Sequence, residues 1–143
     1  MNHDTVHLLR QCDSGLKMAV ASIGDVLDSV RSDGLREHLE ESRKHHQALL
    51  DETDRLLART GCPQKSPGKM ARSMAKAKTD FMLTLHPSDS TVAGLMTDGC
   101  SMGIKTLSHE LNRCSTADVQ SRDLTRRLIG IEDALSDGLR PYL

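Results

Sequence analysis

The chain contains the segment Cys12-Asp13-Ser14-Gly15-Leu16-Lys17 and repeats its pattern, C-x-x-G-(L/I)-K, as Cys100-Ser101-Met102-Gly103-Ile104-Lys105. Each copy lies within a stretch whose apolar residues recur every three or four positions, which is the period of an α-helix. A second stretch with the same period follows each copy. The sequence therefore predicts two related helix pairs, an internal repeat, joined by a central insert.

The motif places a glycine within each predicted helix, at Gly15 and Gly103, and a glycine at such a position calls for a structural explanation. A glycine within a helix costs about 1 kcal/mol relative to alanine. Its missing side chain would let another helix approach closely. We predict that the two motif helices cross at these glycines, and a coincidence of two unrelated glycines is the alternative.

The composition favours packed helices. The apolar residues are mainly Leu, Met, Val and Ala, with one Phe, one Tyr and no Trp among 143 residues. Strands prefer aromatic and β-branched residues, so this composition disfavours a β-sandwich or a barrel. The length is typical of one domain with a moderate core. We predict an all-α fold in a single domain, residues 1–143.

Five helices are predicted, over residues of about 4–30, 33–60, 69–85, 89–114 and 117–140. Ser32 or Asp33 is suited to cap the second helix, and one of residues 88–90 is suited to cap the fourth. Gly61-Cys62-Pro63 should end the second helix, because glycine just past the end and proline shortly after it are typical helix stops. Residues 64–69 are expected to form a loop.

Charge and cysteine content limit the classes of function. The net charge of -1 gives no general attraction to nucleic acid or to an anionic membrane. The first residues are polar and the apolar runs are short, so we expect no signal peptide, no membrane span and a cytoplasmic location. The cysteines lack C-x-x-C or zinc-site spacing and should be reduced. We expect Cys12, Cys100 and Cys114 in the core and Cys62 in an exposed loop near Lys65.

The insert helix is amphipathic. One face carries apolar residues at helical spacing, namely Met70, Met74, Ala77, Phe81 and Leu85. The other side is basic, with Lys65, Lys69, Arg72, Lys76 and Lys78. We expect the apolar face to pack on the protein and the basic side to be solvated, while docking on an acidic partner is the alternative. No aromatic residues alternate with the basic ones, so nucleic-acid binding is not expected.

Two helix hairpins with a helical crossover and a repeated glycine motif resemble the ferritin-like four-helix bundles. More narrowly, the segment Ser101-Met102-Gly103-Ile104 is similar to one found in an uncharacterised bacterial, largely clostridial, family of small ferritin-like proteins. The resemblance covers about residues 8–139. It implies an antiparallel four-helix bundle with a short extra helix in the central crossover, and it implies no established activity.

Ferritin-like bundles can hold two iron or manganese ions, using a Glu from each of two helices and a Glu-x-x-His pair from each of the others. This chain departs from that pattern: Arg43 lies three residues before His46, and the last helix has no His. We expect that helix to present aliphatic residues inward, apart from Tyr142. A non-standard iron, manganese or zinc site built from Asp13, His46 and Glu41 is an alternative. The simpler interpretation is a core His46 that hydrogen-bonds Ser42, Asp13 or water.

The sequence thus predicts a non-enzymatic helical protein that acts through protein-protein contacts, with no catalytic residue and no cofactor. A metal-binding or redox protein is the second hypothesis. Apolar residues away from the main stripes, Met18, Val26 and Met82, motivate a homodimer hypothesis. No small-molecule ligand is indicated.

Overall fold

The computed structural model describes residues 2–62 and 67–143. Within these ranges the chain is all helical and contains no strand, which confirms the predicted all-α class. The elements are α1 (His3–Leu27), α2 (Asp33–Thr60), α3 (Lys69–Leu85), α4 (Asp89–Arg113), α5 (Val119–Leu139) and a 3₁₀ turn (Arg140–Tyr142). Residues 63–66, with the loop and the Lys65 neighbourhood predicted there, lie outside the described residues.

Side-chain caps set the predicted helix boundaries. The hydroxyl of Ser32 accepts a hydrogen bond from the backbone N–H of Leu35 at 3.3 Å, and that of Ser88 accepts from Thr91 at 3.1 Å. Each satisfies a donor that has no partner within its own helix. Gly61 ends α2 with a φ of 70°, a left-handed conformation that glycine adopts without strain. Both predicted starts and this predicted end are confirmed.

The end of α1 differs from the prediction. The helix ends at Leu27. A tighter turn follows, in which the Val30 N–H donates a hydrogen bond to the Leu27 carbonyl, three residues before it, at 3.3 Å. The Arg36 guanidinium donates to the carbonyls of Leu27 and Val30 at 3.1 and 2.7 Å. Val30 is buried and so continues the apolar period after the helix has ended. Periodicity alone therefore placed the boundary three residues too late.

The long helices pack in pairs, α1 against α2 and α4 against α5. Contacts of α1 with α4 and α5, and of α2 with α5, join the two pairs. Two large apolar clusters fill most of the core, and a third, smaller one contains Leu8, Cys114 and Ala117. One of the large clusters includes Ile23, Leu35, Leu39, Val92, Met96, Leu135 and Leu139, and the other includes Leu9, Leu16, Leu49, Leu57, Leu107, Leu124 and Leu128. Along α2 and α5 a polar segment separates these clusters, and it contains His46 and Glu132.

α3 packs on α1 and α4 through the side opposite its apolar face. Leu83 is its one buried residue, and Arg72 pairs with Asp25 of α1 at 2.6 Å. The predicted packing face instead lies in solvent: the exposed fractions are 76% for Met70, 66% for Met74, 62% for Phe81 and 55% for Leu85. The expectation that this face packs on the protein is wrong.

Two glycines allow close contacts near the chain end. A Cβ at Gly138 would overlap the ring of His38, whose Nε2 lies 3.0 Å from the Leu135 carbonyl. A Cβ at Gly34 would lie 2.5 Å from the Tyr142 hydroxyl, so the missing side chain at position 34 makes room for this ring beside the start of α2, while the 3₁₀ turn itself contacts α4 and α5.

Among the helices described, none combines the length and the apolar character needed to span a bilayer.

Candidate functional site

His46 is fully buried at the centre of the core. Its Nδ1 lies 2.7 Å from the Ser42 carbonyl oxygen, and its Nε2 lies 3.0 Å from a Glu132 carboxyl oxygen. A carbonyl oxygen can only accept, so Nδ1 carries a proton and donates it. A second proton lies between Nε2 and Glu132. The predicted contact with Ser42 is confirmed, but Glu132 is the partner on the other side of the ring and not Asp13.

Glu132 was missed by the sequence analysis, which expected aliphatic residues on the inward side of the last helix. It is 7% exposed. Its position, four residues after Leu128 and three before Leu135, already places it on the apolar stripe of α5. The signal was in the helical spacing, but a carboxylate on a core stripe was not anticipated because burial of a charge needs a partner.

The thiol of Cys100 also interacts with Glu132. Burial, together with the neighbouring Glu132 carboxylate, raises the pKa of Cys100 far above its usual value. The thiol therefore stays protonated at neutral pH and donates to the carboxylate. The result is a buried trio, His46, Glu132 and Cys100, that is suited to holding protons in place and not to nucleophilic attack, which needs a thiolate.

Asp13 belongs to a different cluster. It is fully buried, and the Lys17 ammonium lies 2.9 Å from its Oδ2. Across the α1–α2 contact it hydrogen-bonds Asp54. Burial, then this hydrogen bond and the Asp13 charge, raise the pKa of Asp54 to about 6. Asp54 is thus the partner of Asp13 across the helix pair, and the predicted Asp13–His46 couple is not formed.

Glu41 lies on the surface, with its side chain 67% exposed and 3.7 Å from His45. The structure therefore does not bring Asp13, His46 and Glu41 together as one metal site. Within the described residues, the potential ligands that do converge are His7, Glu110 and Cys114, where α1 begins and α4 ends.

The two motif glycines do not face each other. Gly15 is exposed, and a Cβ there would meet no atom within 4 Å. A Cβ at Gly103 would lie 3.8 Å from the Glu132 carboxyl carbon, at ordinary contact distance. Gly103 therefore lies beside the buried trio, and Gly15 marks no helix crossing.

The predicted burial of three cysteines is confirmed, whereas Cys62, which was predicted to be exposed, is not fully so. Cys12, Cys100 and Cys114 are buried, and Cys62 is half-buried. Burial raises the pKa of Cys12 to about 12, although a hydrogen bond with Thr125 opposes the shift.

The surface of α3 carries the largest run of exposed apolar side chains in the described part of the chain. We call Met70, Met74, Ala77, Phe81 and Leu85 the α3 apolar face. Exposed Lys69, Lys76 and Lys78 border it. Of the residues that motivated a homodimer, Val26 is buried at 1% exposure, and Met18 and Met82 are half-buried.

An open groove between α2 and α5 offers a further concave surface. Ala48, Ile131 and Ala134 line it, and Glu52 and Arg127 lie at its edge. The Arg127 guanidinium binds both Glu52 oxygens, at 2.6 and 3.0 Å. These two charges are paired with each other, and His45 is a further polar side chain that lines the groove.

Comparison of the chain with protein-family models, with curated proteins and with solved structures finds no match.

Proposed function

We propose that this chain is a non-enzymatic helical protein that binds an acidic, amphipathic helix of a protein partner through the α3 apolar face. The observation that carries the proposal is the exposure of that face, with four large apolar side chains each more than half in solvent. Scattered apolar residues on a surface are normal, whereas a contiguous row of them is typical of a binding site.

The spacing of the face supports a helical partner. Its residues follow one another at intervals of four, three, four and four positions. This is the narrow stripe with which a helix contacts another helix, and it is narrower than the broad apolar face of helices that lie in a membrane surface. Methionine side chains adapt their shape to a partner, which suits Met70 and Met74 to this role.

The charge of α3 supports an acidic partner. The helix carries Lys69, Arg72, Lys76 and Lys78 against the single acid Asp80, so its net charge is 4 − 1 = +3. Pairing with the same helix of a second copy would bring like charges together. An acidic helix would instead complement them, which favours a different protein over the homodimer hypothesis.

The fold within this proposal is a ferritin-like four-helix bundle that lacks the dinuclear metal centre. The pairing of α1 with α2 and of α4 with α5, with α3 in the crossover, supports it. A cytoplasmic location is part of the proposal and is supported by four free cysteines, which persist in reducing compartments.

The test is photo-crosslinking in cells, with a photoreactive residue at position 81 and a matched control at position 102. Met102 is 72% exposed and belongs to α4 rather than to the α3 apolar face, so it controls for exposure of a large apolar side chain. We expect the photoreactive residue at position 81 to crosslink to an acidic amphipathic helix of one protein. The same residue at position 102 should not crosslink to that protein. A synthetic Leu/Glu amphipathic helix should then bind the purified chain, and Phe81→Glu should weaken that binding by about tenfold or more.

Other outcomes would overturn the proposal. Capture of the chain by itself, with a dimer in sedimentation experiments, would assign the face to a homodimer. Binding to vesicles of 70% phosphatidylcholine and 30% phosphatidylglycerol that Phe81→Glu abolishes would assign it to a membrane. Equal capture at positions 81 and 102 would show that the face has no specific partner.

A further inference from the structure

Three side chains of the types that bind transition metals meet where α1 begins and α4 ends. The His7 Nε2 lies 2.8 Å from a Glu110 oxygen, and these atoms and the Cys114 sulfur all lie within 4.8 Å of one another. Glu110 and Cys114 lie one helical turn apart, and His7, 103 residues before Glu110 in the sequence, meets them only in the fold. We propose that His7, Glu110 and Cys114 bind one zinc ion.

The distances fit such a site. In a tetrahedral zinc site the ligand atoms lie about 2.0 to 2.3 Å from the ion, which sets them roughly 3.3 to 3.6 Å apart. The His7–Glu110 pair would need to open by less than about 1 Å, and the Cys114 sulfur, which lies within 4.8 Å of both ligand atoms, would need to approach them by no more than about 1.5 Å. The other Glu110 oxygen lies 3.7 Å from Arg113, so one oxygen remains for the ion.

The site is held by the surrounding backbone. The Cys114 N–H donates to the Glu110 carbonyl at 2.8 Å, which fixes two of the ligands on the last turn of α4. The Arg122 guanidinium donates to the Cys114 carbonyl at 2.9 Å. Such a frame holds Glu110 and Cys114 in place before an ion arrives.

Further hydrogen bonds tie the start of α1 to the turn that follows Cys114. Asp4 accepts from the N–H and the hydroxyl of Thr116 at 3.1 and 2.6 Å, and the Thr5 hydroxyl accepts from the Asp118 N–H at 2.8 Å. His7 is therefore held against α4.

The ligand types select the metal class. Thiolate, imidazole and carboxylate together suit zinc, whereas magnesium and calcium prefer oxygen ligands alone. Binding replaces the Cys114 S–H bond by an S–Zn bond and releases the proton to solvent. The charges that act on the sulfur are balanced, with Asp4 and Glu110 on the negative side and Arg113 and Arg122 on the positive side. The His7 side chain, 25% exposed, leaves an approach for the ion and for a water as fourth ligand.

The test uses tag-free full-length protein and Co²⁺ as a spectroscopic probe for zinc. We expect one equivalent of Co²⁺ to produce a thiolate-to-metal absorption band, and Zn²⁺ to displace it. Cys114→Ser should abolish the band. His7→Gln, at a partly exposed position, should keep the fold and weaken binding by at least roughly 100-fold, because it removes a ligand and even loss of an outer-shell partner costs about 10- to 100-fold.

Matched controls separate the site from incidental binding. His45→Gln removes an exposed histidine beside a carboxylate, and Cys62→Ser removes the half-buried thiol. Both variants should bind Co²⁺ as the unmodified chain does. The proposal fails if no saturable band forms, if His7→Gln retains full affinity, or if either control loses the band.

Discussion

Glu132 is the residue on which the polar part of the core depends. It accepts from Cys100 and pairs with His46, and both partners are buried. Removing one member of such a pair leaves the other without its partner in a medium that cannot solvate it.

We therefore expect Glu132→Leu to lower the free energy of unfolding by about 3 kcal/mol. The double variant His46→Leu/Glu132→Leu should lose less than the sum of the two single variants, because no polar group is then left without its partner. Urea unfolding followed by circular dichroism measures all three. Strict additivity would show that the two side chains are not coupled.

Asp54 should make stability depend on pH. Its pKa in the fold, about 6, lies above the value of about 3.9 expected when unfolded, so the folded chain holds the proton more tightly. Its contribution to stability is therefore fully present below about pH 4 and is lost as the pH rises through 6.

Asp54→Asn should consequently stabilise the protein at pH 7.5, by on the order of 1 kcal/mol because solvent screens this half-buried group, and not at pH 4. Urea unfolding at both values measures the difference. Asp98→Asn, at an exposed position of α4, is the matched control for loss of one carboxylate. An equal gain in the free energy of unfolding of Asp54→Asn at pH 4 and pH 7.5 would contradict the raised pKa of Asp54.

At the scale of the element, the sequence predicted the five helices because caps and apolar spacing are local signals. It predicted the α3 apolar face as well, but not the direction in which that face points. α3 packs through Arg72 and Leu83, a side with less apolar character than the face left in solvent. Amphipathic spacing identifies a face, whereas only the surrounding helices decide which side is covered.

Substitutions on the two sides of α3 should therefore differ. Met74→Glu should change the free energy of unfolding by no more than about 0.5 kcal/mol, because the side chain is in solvent. Leu83→Ala should cost about 2 to 3 kcal/mol, because it removes a buried side chain. Chemical denaturation measures both. A large loss for Met74→Glu would mean that this face is covered in solution.

At the scale of the whole molecule, the sequence predicted the helix pairs but not the sites between them. The pairs Asp13–Asp54 and His46–Glu132, and the cluster of His7, Glu110 and Cys114, join residues from different helices. Their formation depends on how the helices are rotated against each other. Local spacing carries no information on that rotation. The sequence therefore identified Asp13 and His46 as buried polar residues, but the metal site predicted from Asp13, His46 and Glu41 does not form, because each of the three side chains has other neighbours.

The same organisation predicts uneven stability across the molecule. α3 contributes one buried residue to the core. The four long helices, α1, α2, α4 and α5, supply nearly all the other residues of the two large core clusters. Amide hydrogens of α3 should therefore exchange faster than those of α1, through openings that leave the other helices intact. Hydrogen exchange with mass spectrometry measures this, and uniform protection would indicate that α3 unfolds only with the whole protein.

The close fit between Tyr142 and Gly34 has a practical consequence. The chain has no tryptophan and one tyrosine, so its ultraviolet fluorescence originates almost wholly from the ring docked on the start of α2. Gly34→Ala should push that ring outward and change its emission and its quenching by iodide. The tyrosine fluorescence of the unmodified protein thus reports whether the Tyr142 ring is packed beside the start of α2.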